Sequence, residues 1–201
     1  MSYRSVNLLS IFFLSLMFVS CGSSCTADKV DDDDSAPPAV VTPDPIDWDE
    51  CSGMPGDHPC NFTFVDQDGN DWTLYDNYGK VILLDFSTMW CGYCRVSAAE
   101  VQALHDQYGP DFIWVTILIE DGSGGDITID DVQLWAETYG ISSAPVLVGD
   151  RSIIDPTAEN GYPVTSWPMF ILIDDEMIID WGLRGWSQEL IIEAIEGLLD
   201  E

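Results

Sequence analysis

Lys80-Val-Ile-Leu-Leu-Asp-Phe-Ser-Thr-Met-Trp-Cys-Gly-Tyr-Cys-Arg95 is the stretch on which the reading of this chain turns. Val81 to Phe86 is an almost continuous apolar run with a β-branched start, the pattern of a strand covered on both faces. Beyond it a helix is expected from Gly92 to Tyr108, with Val101, Leu104, His105 and Tyr108 on one face and Gly109-Pro110 stopping it. Cys91 and Cys94 therefore stand at a strand-to-helix junction, where two thiols at this spacing can close a small disulfide. Cys91 falls where free backbone N–H groups and the helix dipole stabilise a thiolate, while Cys94 lies one turn further in and shielded. That asymmetry assigns attack to Cys91 and resolution of the mixed disulfide to Cys94.

Working outward, strands and helices alternate. Asn61 to Val65 alternates apolar and polar residues, and Asp68-Gly69-Asn70 is a turn before Trp72-Thr-Leu74. Phe112 to Ile119 reads as a second buried strand. Asp130 or Asp131 is expected to cap a short helix carrying Val132, Trp135 and Tyr139 before Gly140. Two strands, Met169 to Ile173 and Met177 to Trp181, flank an acidic turn at Asp174-Asp175-Glu176. Ser187 is expected to cap a last helix, in which Leu190, Ile191, Ala194, Ile195, Leu198 and Leu199 recur at helical spacing. The expected order is β-β-β-α-β-α-β-β-α, without internal repeats.

The chain has 201 residues with 36 acidic and 6 basic side chains, a formal charge of −30. Nucleic acid is excluded as a partner, because phosphate binding needs clustered Lys and Arg. At 46% apolar with 8 Trp, 7 Tyr and 8 Phe, the chain can nevertheless build a core. No apolar run approaches the roughly 18 residues of a spanning helix, so a polytopic membrane protein is also excluded.

Residues 1–20 have the order of an export signal: Arg4, an apolar run from Leu8 to Val19, then Ser20 before Cys21. A cysteine directly after the small residue is similar to a bacterial lipoprotein signal, in which Cys21 is lipidated and becomes the first residue. Phe18 stands three before it, where such signals prefer an aliphatic side chain. An ordinary cleaved signal and an uncleaved anchor are the alternatives. Residues 21–50 read as an acidic, Pro-rich tether, with Asp31 to Asp34 followed by Pro37, Pro38, Pro43 and Pro45. Residues 51–201 form the expected domain, with 27 acidic side chains against 4 basic ones. The expected location is the bacterial cell envelope, periplasm-facing or at the surface, with the lipid bilayer as partner through Cys21.

The segment Lys80 to Arg95 closely resembles the active-site segment of the thioredoxin superfamily. Phe62-Thr-Phe-Val-Asp-Gln-Asp-Gly69 and Gly79-Lys80 resemble the TlpA/ResA-like, AhpC/TSA-related branch of exported thiol-disulfide oxidoreductases. The resemblance covers residues 60 to about 200. It implies an α/β thioredoxin fold, a central mixed sheet flanked by helices, here with an N-terminal β-hairpin extension. It also implies that Asp85, six residues before Cys91, is the buried carboxylate that exchanges a proton with Cys94, its pKa raised by burial. The resemblance places a cis-proline at Pro168 beside the disulfide, so that the Trp167 backbone pairs with a substrate chain. Trp167 departs from the Thr that many members carry there. Trp90 and Tyr93, flanking the thiols, serve as packing and as an apolar docking surface. The implied activity is disulfide exchange with exported proteins in the direction of reduction, with a membrane or periplasmic electron-transfer partner and no cofactor beyond the Cys91–Cys94 dithiol.

Cys51 and Cys60 bracket a loop containing Gly53, Pro55, Gly56 and Pro59, and in an oxidising compartment this reads as a structural disulfide. A second redox pair, or a four-thiolate zinc site with Cys91 and Cys94, remains open beside it. Cys25 is left over. His58 and His105 are expected to pack or to face solvent, with no metal held. Asp121-Gly-Ser-Gly-Gly-Asp126 lacks the bidentate Glu of a calcium loop, Val132 standing at that place, and reads as a flexible connection. The competing functions are a disulfide isomerase or oxidase, and a non-catalytic binding lipoprotein such as a metallochaperone.

Overall fold

The computed structural model describes residues 46–200. The expected signal peptide, the expected lipidation site Cys21, Cys25 and the expected tether up to residue 45 lie outside them. Eleven regular elements are present among the described residues: β1 (Thr63–Val65), β2 (Asp71–Thr73), β3 (Val81–Ser87), α1 (Gly92–Ala98), α2 (Val101–Tyr108), β4 (Phe112–Leu118), α3 (Ile129–Tyr139), β5 (Val146–Val148), β6 (Met169–Ile173), β7 (Ile179–Arg184) and α4 (Gln188–Leu199).

Strands β1 and β2 pair as the expected hairpin, Phe64 opposite Trp72. The other five form one mixed sheet in the order β5-β4-β3-β6-β7. Strand β3 sits at its centre, parallel to β4 and antiparallel to β6. Every residue of β3, β4 and β6 is buried, in keeping with their near-continuous apolar runs, and Asp85, Ser87 and Thr116 are the polar residues buried within them. Successive β3 side chains point to opposite faces. Val81 and Leu83 pack with buried residues from all four helices, among them Cys94, Leu104, Trp135 and Ile191. Ile82, Leu84 and Phe86 pack with Phe62, Leu74, Tyr162 and Val164, so the other face is closed by the hairpin region and the irregular segment before β6. This is the thioredoxin fold with an N-terminal hairpin.

Four local features depart from the expected elements. The helix after Cys91 is two helices, because the chain breaks at Ala99 and Glu100. Ser97 Oγ donates to the Cys94 carbonyl at 2.9 Å, and Glu100 N–H closes a tighter turn on Ser97 O. Such back-bonding competes with the helical ladder and bends it. Thr128, and neither Asp130 nor Asp131, is the N-cap of α3; Asp131 reaches back to accept from the Thr128 N–H at 2.9 Å. Strand β5, three residues long, is absent from the expected order. Strand β7 begins at Ile179 rather than Met177, since Met177 takes a left-handed φ of 60° in the turn closed by Asp174. Ser187 does stand at the N-cap of α4, though its side chain makes no capping hydrogen bond.

Candidate functional site

The end of β3 delivers the chain to the N-terminus of α1, and the site grows from that junction. Cys91 is the N-cap, extended at φ −75° and ψ 123°, and its Sγ accepts the Cys94 N–H at 3.2 Å. A sulfur so placed meets one of the unsatisfied donors of the first helical turn, the position that favours a thiolate. Cys91 and Cys94 are joined as a disulfide. Cys91 retains 6% exposure and Cys94 none, so an incoming group reaches the first sulfur before the second.

Around this pair the surface is apolar. Trp90 is 44% exposed and Tyr93 67%, and Val96, one turn on, is also exposed. Spacing alone does not separate Val96 from a core residue, since its exposure depends on how α1 packs on the sheet. The Trp167–Pro168 peptide is cis and Pro168 is buried. Trp167 packs against the cluster that contains Cys91 and Cys94. The Pro168 carbonyl accepts from Gly185 N–H at 2.8 Å, whereas the Trp167 N–H and carbonyl make no hydrogen bond to the described residues.

Asp85 lies on the β3 face that carries Leu83, the helix side of the sheet. Burial pushes its pKa from 3.8 up to about 7, against the lowering pull of the Ser87 hydroxyl, which donates at 2.6 Å, and of the Trp114 side chain. A group poised near neutrality can both accept and release a proton at physiological pH. Across the sheet from it, Thr116 Oγ1 is buried with no hydrogen-bond partner.

Two charged residues at the site were not legible beforehand. Trp90 Nε1 donates to Glu120 Oε2 at 2.7 Å, and Glu120 Oε1 pairs with Arg151. Glu120 follows β4 and Arg151 follows β5, so nothing in sequence spacing brings either to Trp90. The turn before Cys91 is further pinned by Met89 N–H to Glu120 O at 2.9 Å and by Arg95 Nε to Met89 O at 2.9 Å.

The remaining candidates sit elsewhere. Cys51 and Cys60 are joined to each other, with Cα atoms 4.8 Å apart. His58, in their loop, stacks on Trp48 with ring centroids 3.7 Å apart, and its Nδ1 hydrogen-bonds the Met177 carbonyl. His105 accepts the Trp114 N–H on Nδ1 at 3.4 Å, and partial burial lowers its pKa. Among the described residues no three His, Cys, Asp or Glu side chains come together as metal ligands. The connection after β4 is closed on itself, Asp121 Oδ1 accepting from the Ser123 and Gly125 N–H groups at 2.7 Å each. No helix among the described residues is long and apolar enough to cross a membrane.

Comparison with known proteins places this geometry. The family model described as AhpC/TSA family matches residues 55–181. The thioredoxin-like protein YneN of Bacillus subtilis is 24% identical over 124 residues, covering 62% of this chain and 68% of that protein. Among solved structures, the pneumococcal exposed lipoprotein thioredoxin from Streptococcus pneumoniae is 25% identical with a TM-score of 0.57, over 69% of this chain and all of that one. A protein from Bacteroides thetaiotaomicron, described as a disulfide isomerase by similarity, superposes with a TM-score of 0.59 at 24% identity, over 75% and 95% of the two chains.

Proposed function

The chain belongs to the AhpC/TSA family and has the fold and dithiol of a thioredoxin-like thiol-disulfide oxidoreductase; from that premise we propose that it is a membrane-tethered reductase of disulfides in exported proteins. The observation that carries the reading is the placing of Cys91 as N-cap of α1, its sulfur on a helix N–H and its surroundings an exposed rim of Trp90, Tyr93 and Val96. The Streptococcus pneumoniae relative, an exposed lipoprotein and a thioredoxin by name, supports both the tether through Cys21 and the reductive direction.

The cycle begins with both cysteines reduced. The Cys91 thiolate attacks one sulfur of a substrate disulfide, forming a mixed disulfide and releasing the other substrate sulfur as a thiolate. The Trp167 backbone, whose N–H and carbonyl make no hydrogen bond to the described residues, pairs with the substrate chain and presents its disulfide to Cys91. Asp85, ionised at this point, takes the proton of Cys94, whose thiolate attacks Cys91 Sγ. The second substrate thiolate leaves, and the two substrate thiolates take up two protons, one released when the Cys91 thiol ionised and one passed from Cys94 through Asp85, so the substrate gains two electrons and two protons as the Cys91–Cys94 disulfide forms. A dithiol partner in the envelope returns the two electrons.

The test is equilibration of residues 46–201 against glutathione or dithiothreitol buffers, coupled to an insulin-reduction assay. A potential at the thioredoxin end, about −270 mV or lower, supports the reductase. A value near about −120 to −180 mV replaces it with an oxidase or isomerase. Absence of any dithiol–disulfide transition overturns the enzyme and leaves a binding lipoprotein.

A further inference from the structure

The domain from Cys51 onward has only four basic side chains, Lys80, Arg95, Arg151 and Arg184, against 27 acidic ones, and two of the four are spent on the turn that carries Trp90. Arg95 fixes the Met89 carbonyl; Arg151 pairs with Glu120. Glu120 is itself unusual. It is a carboxylate at 10% side-chain exposure, and it holds the active-site turn twice, through its carbonyl on Met89 N–H and its Oε2 on Trp90 Nε1. A buried anion with a neutral donor on one oxygen and no cation on the other would be costly.

The backbone is built to bring Arg151 there. Gly149 leaves β5 with its N–H on Leu118 O at 2.9 Å, and a Cβ at that glycine would lie 2.5 Å from Ile117 Cγ2 and 2.8 Å from Leu118 O. Only glycine allows the two chain ends to approach so closely. Asp150 then accepts the Ser152 N–H at 2.6 Å, capping the short turn that carries Arg151. Arg151 remains 64% exposed, so it is a cation delivered to the rim and not a core residue.

We infer that Arg151 is a positioning residue for the dithiol: it cancels the charge of the carboxylate that holds Trp90, and so sets the balance between thiolate and disulfide at Cys91–Cys94. This rests on that pair being the redox centre. The charged and titratable groups disposed around it are Arg95 on α1, Asp85 on β3, Glu120 after β4, Arg151 after β5, and Tyr139 of α3 facing Arg95. Removing Arg151 leaves an uncompensated anion near the thiolate and disfavours the reduced form. Removing the Glu120 charge leaves an uncompensated cation and favours it. The two changes therefore act with opposite signs, although both break the same pair.

The experiment is equilibration of wild type, Arg151→Gln, Glu120→Gln and the double variant with glutathione at about pH 8. Glu120→Gln keeps an acceptor for Trp90. Arg151→Gln is expected to shift the equilibrium roughly threefold to tenfold toward the disulfide, and Glu120→Gln by a similar factor toward the dithiol. The double variant should return to within about twofold of wild type, and Arg151→Lys should restore most of the single loss. The Trp90 indole N–H resonance should move in Glu120→Ala. Shifts of the same sign in both single variants, or no shift in either, overturn the inference, as does an unmoved Trp90 resonance. A wild-type protein that shows no transition at all would instead overturn the redox reading on which the inference rests.

Discussion

The molecule contains two disulfides whose bonds are chemically alike and whose surroundings are opposite. Cys51–Cys60 closes a loop that is knitted into the fold by backbone: Gly53 N–H to Ala158 O, Gly56 N–H to Ile179 O and Ile179 N–H to Asp57 O, all between 2.8 and 3.0 Å. Tyr162 donates to the Cys60 carbonyl from the core at 2.7 Å. Cys91–Cys94 has few such ties on its outward side. Its first sulfur lies on a helix N–H, a carboxyl of raised pKa sits on the same side of the sheet, and exposed aromatics frame it. The contrast teaches which surroundings can stabilise a thiolate: unsatisfied donors, a carboxyl of raised pKa and an open rim. A disulfide held by ordinary backbone pairing has no comparable means of stabilising a thiolate.

The largest effect should separate the two pairs outright. Cys91→Ser is expected to abolish insulin reduction, a loss of at least about a thousandfold, while Cys51→Ser with Cys60→Ser keeps turnover within about threefold. Equal loss in both variants would make the first pair part of the electron path and break the comparison. Next comes Asp85, whose folded pKa of about 7 exceeds its unfolded value of 3.8. The folded state then holds the proton more tightly, so this group's contribution falls as pH rises from about 4 to 7, by about 4 kcal/mol in total. Asp85→Asn should remove that slope and raise stability above pH 7, measured by urea unfolding, while slowing resolution by Cys94. A variant with an unchanged slope would show that Asp85 is ionised throughout. Third, losing the Cys51–Cys60 staple frees a ten-residue loop in the unfolded chain and should cost about 3 kcal/mol in the same titration.

How much of this contrast could be read in sequence follows from where each signal resides. The Cys91–Cys94 pair was legible because strand, junction and helix all lie within Lys80 to Arg95, and local periodicity fixes their relation. The central strands were legible for the same reason, each being a complete buried run. The break between α1 and α2 depends on one serine hydroxyl choosing a carbonyl, which no periodicity records. Strand β5 is three residues long and owes its existence to β4, whose Thr116 to Leu118 it pairs. Glu120 and Arg151 meet across 31 positions because Gly149 lets two strand ends touch, and contacts of that kind are set by the sheet, not by spacing. Sequence thus shows the chemistry a short segment can hold, and tertiary structure supplies the charges that tune it.

The smallest prediction sharpens the comparison from the side of the Cys51–Cys60 disulfide. The Tyr162 ring is buried between Phe62 and Phe86, and its hydroxyl is spent on the Cys60 carbonyl. Tyr162→Phe keeps the ring and removes one donor, leaving a buried carbonyl without this partner at a cost of about 1 to 2 kcal/mol. If Cys51–Cys60 is only a staple, that loss appears as a lower urea midpoint with insulin reduction and the Cys91–Cys94 equilibrium unchanged. A shift in the glutathione equilibrium of Cys91–Cys94 in this variant would mean that the two disulfides are coupled through the sheet, since Tyr162 packs on Phe86, one residue beyond Asp85. The measurement therefore asks whether the face of β3 that carries Phe86 is insulated from the face that carries Asp85, which is what the alternation of the strand requires.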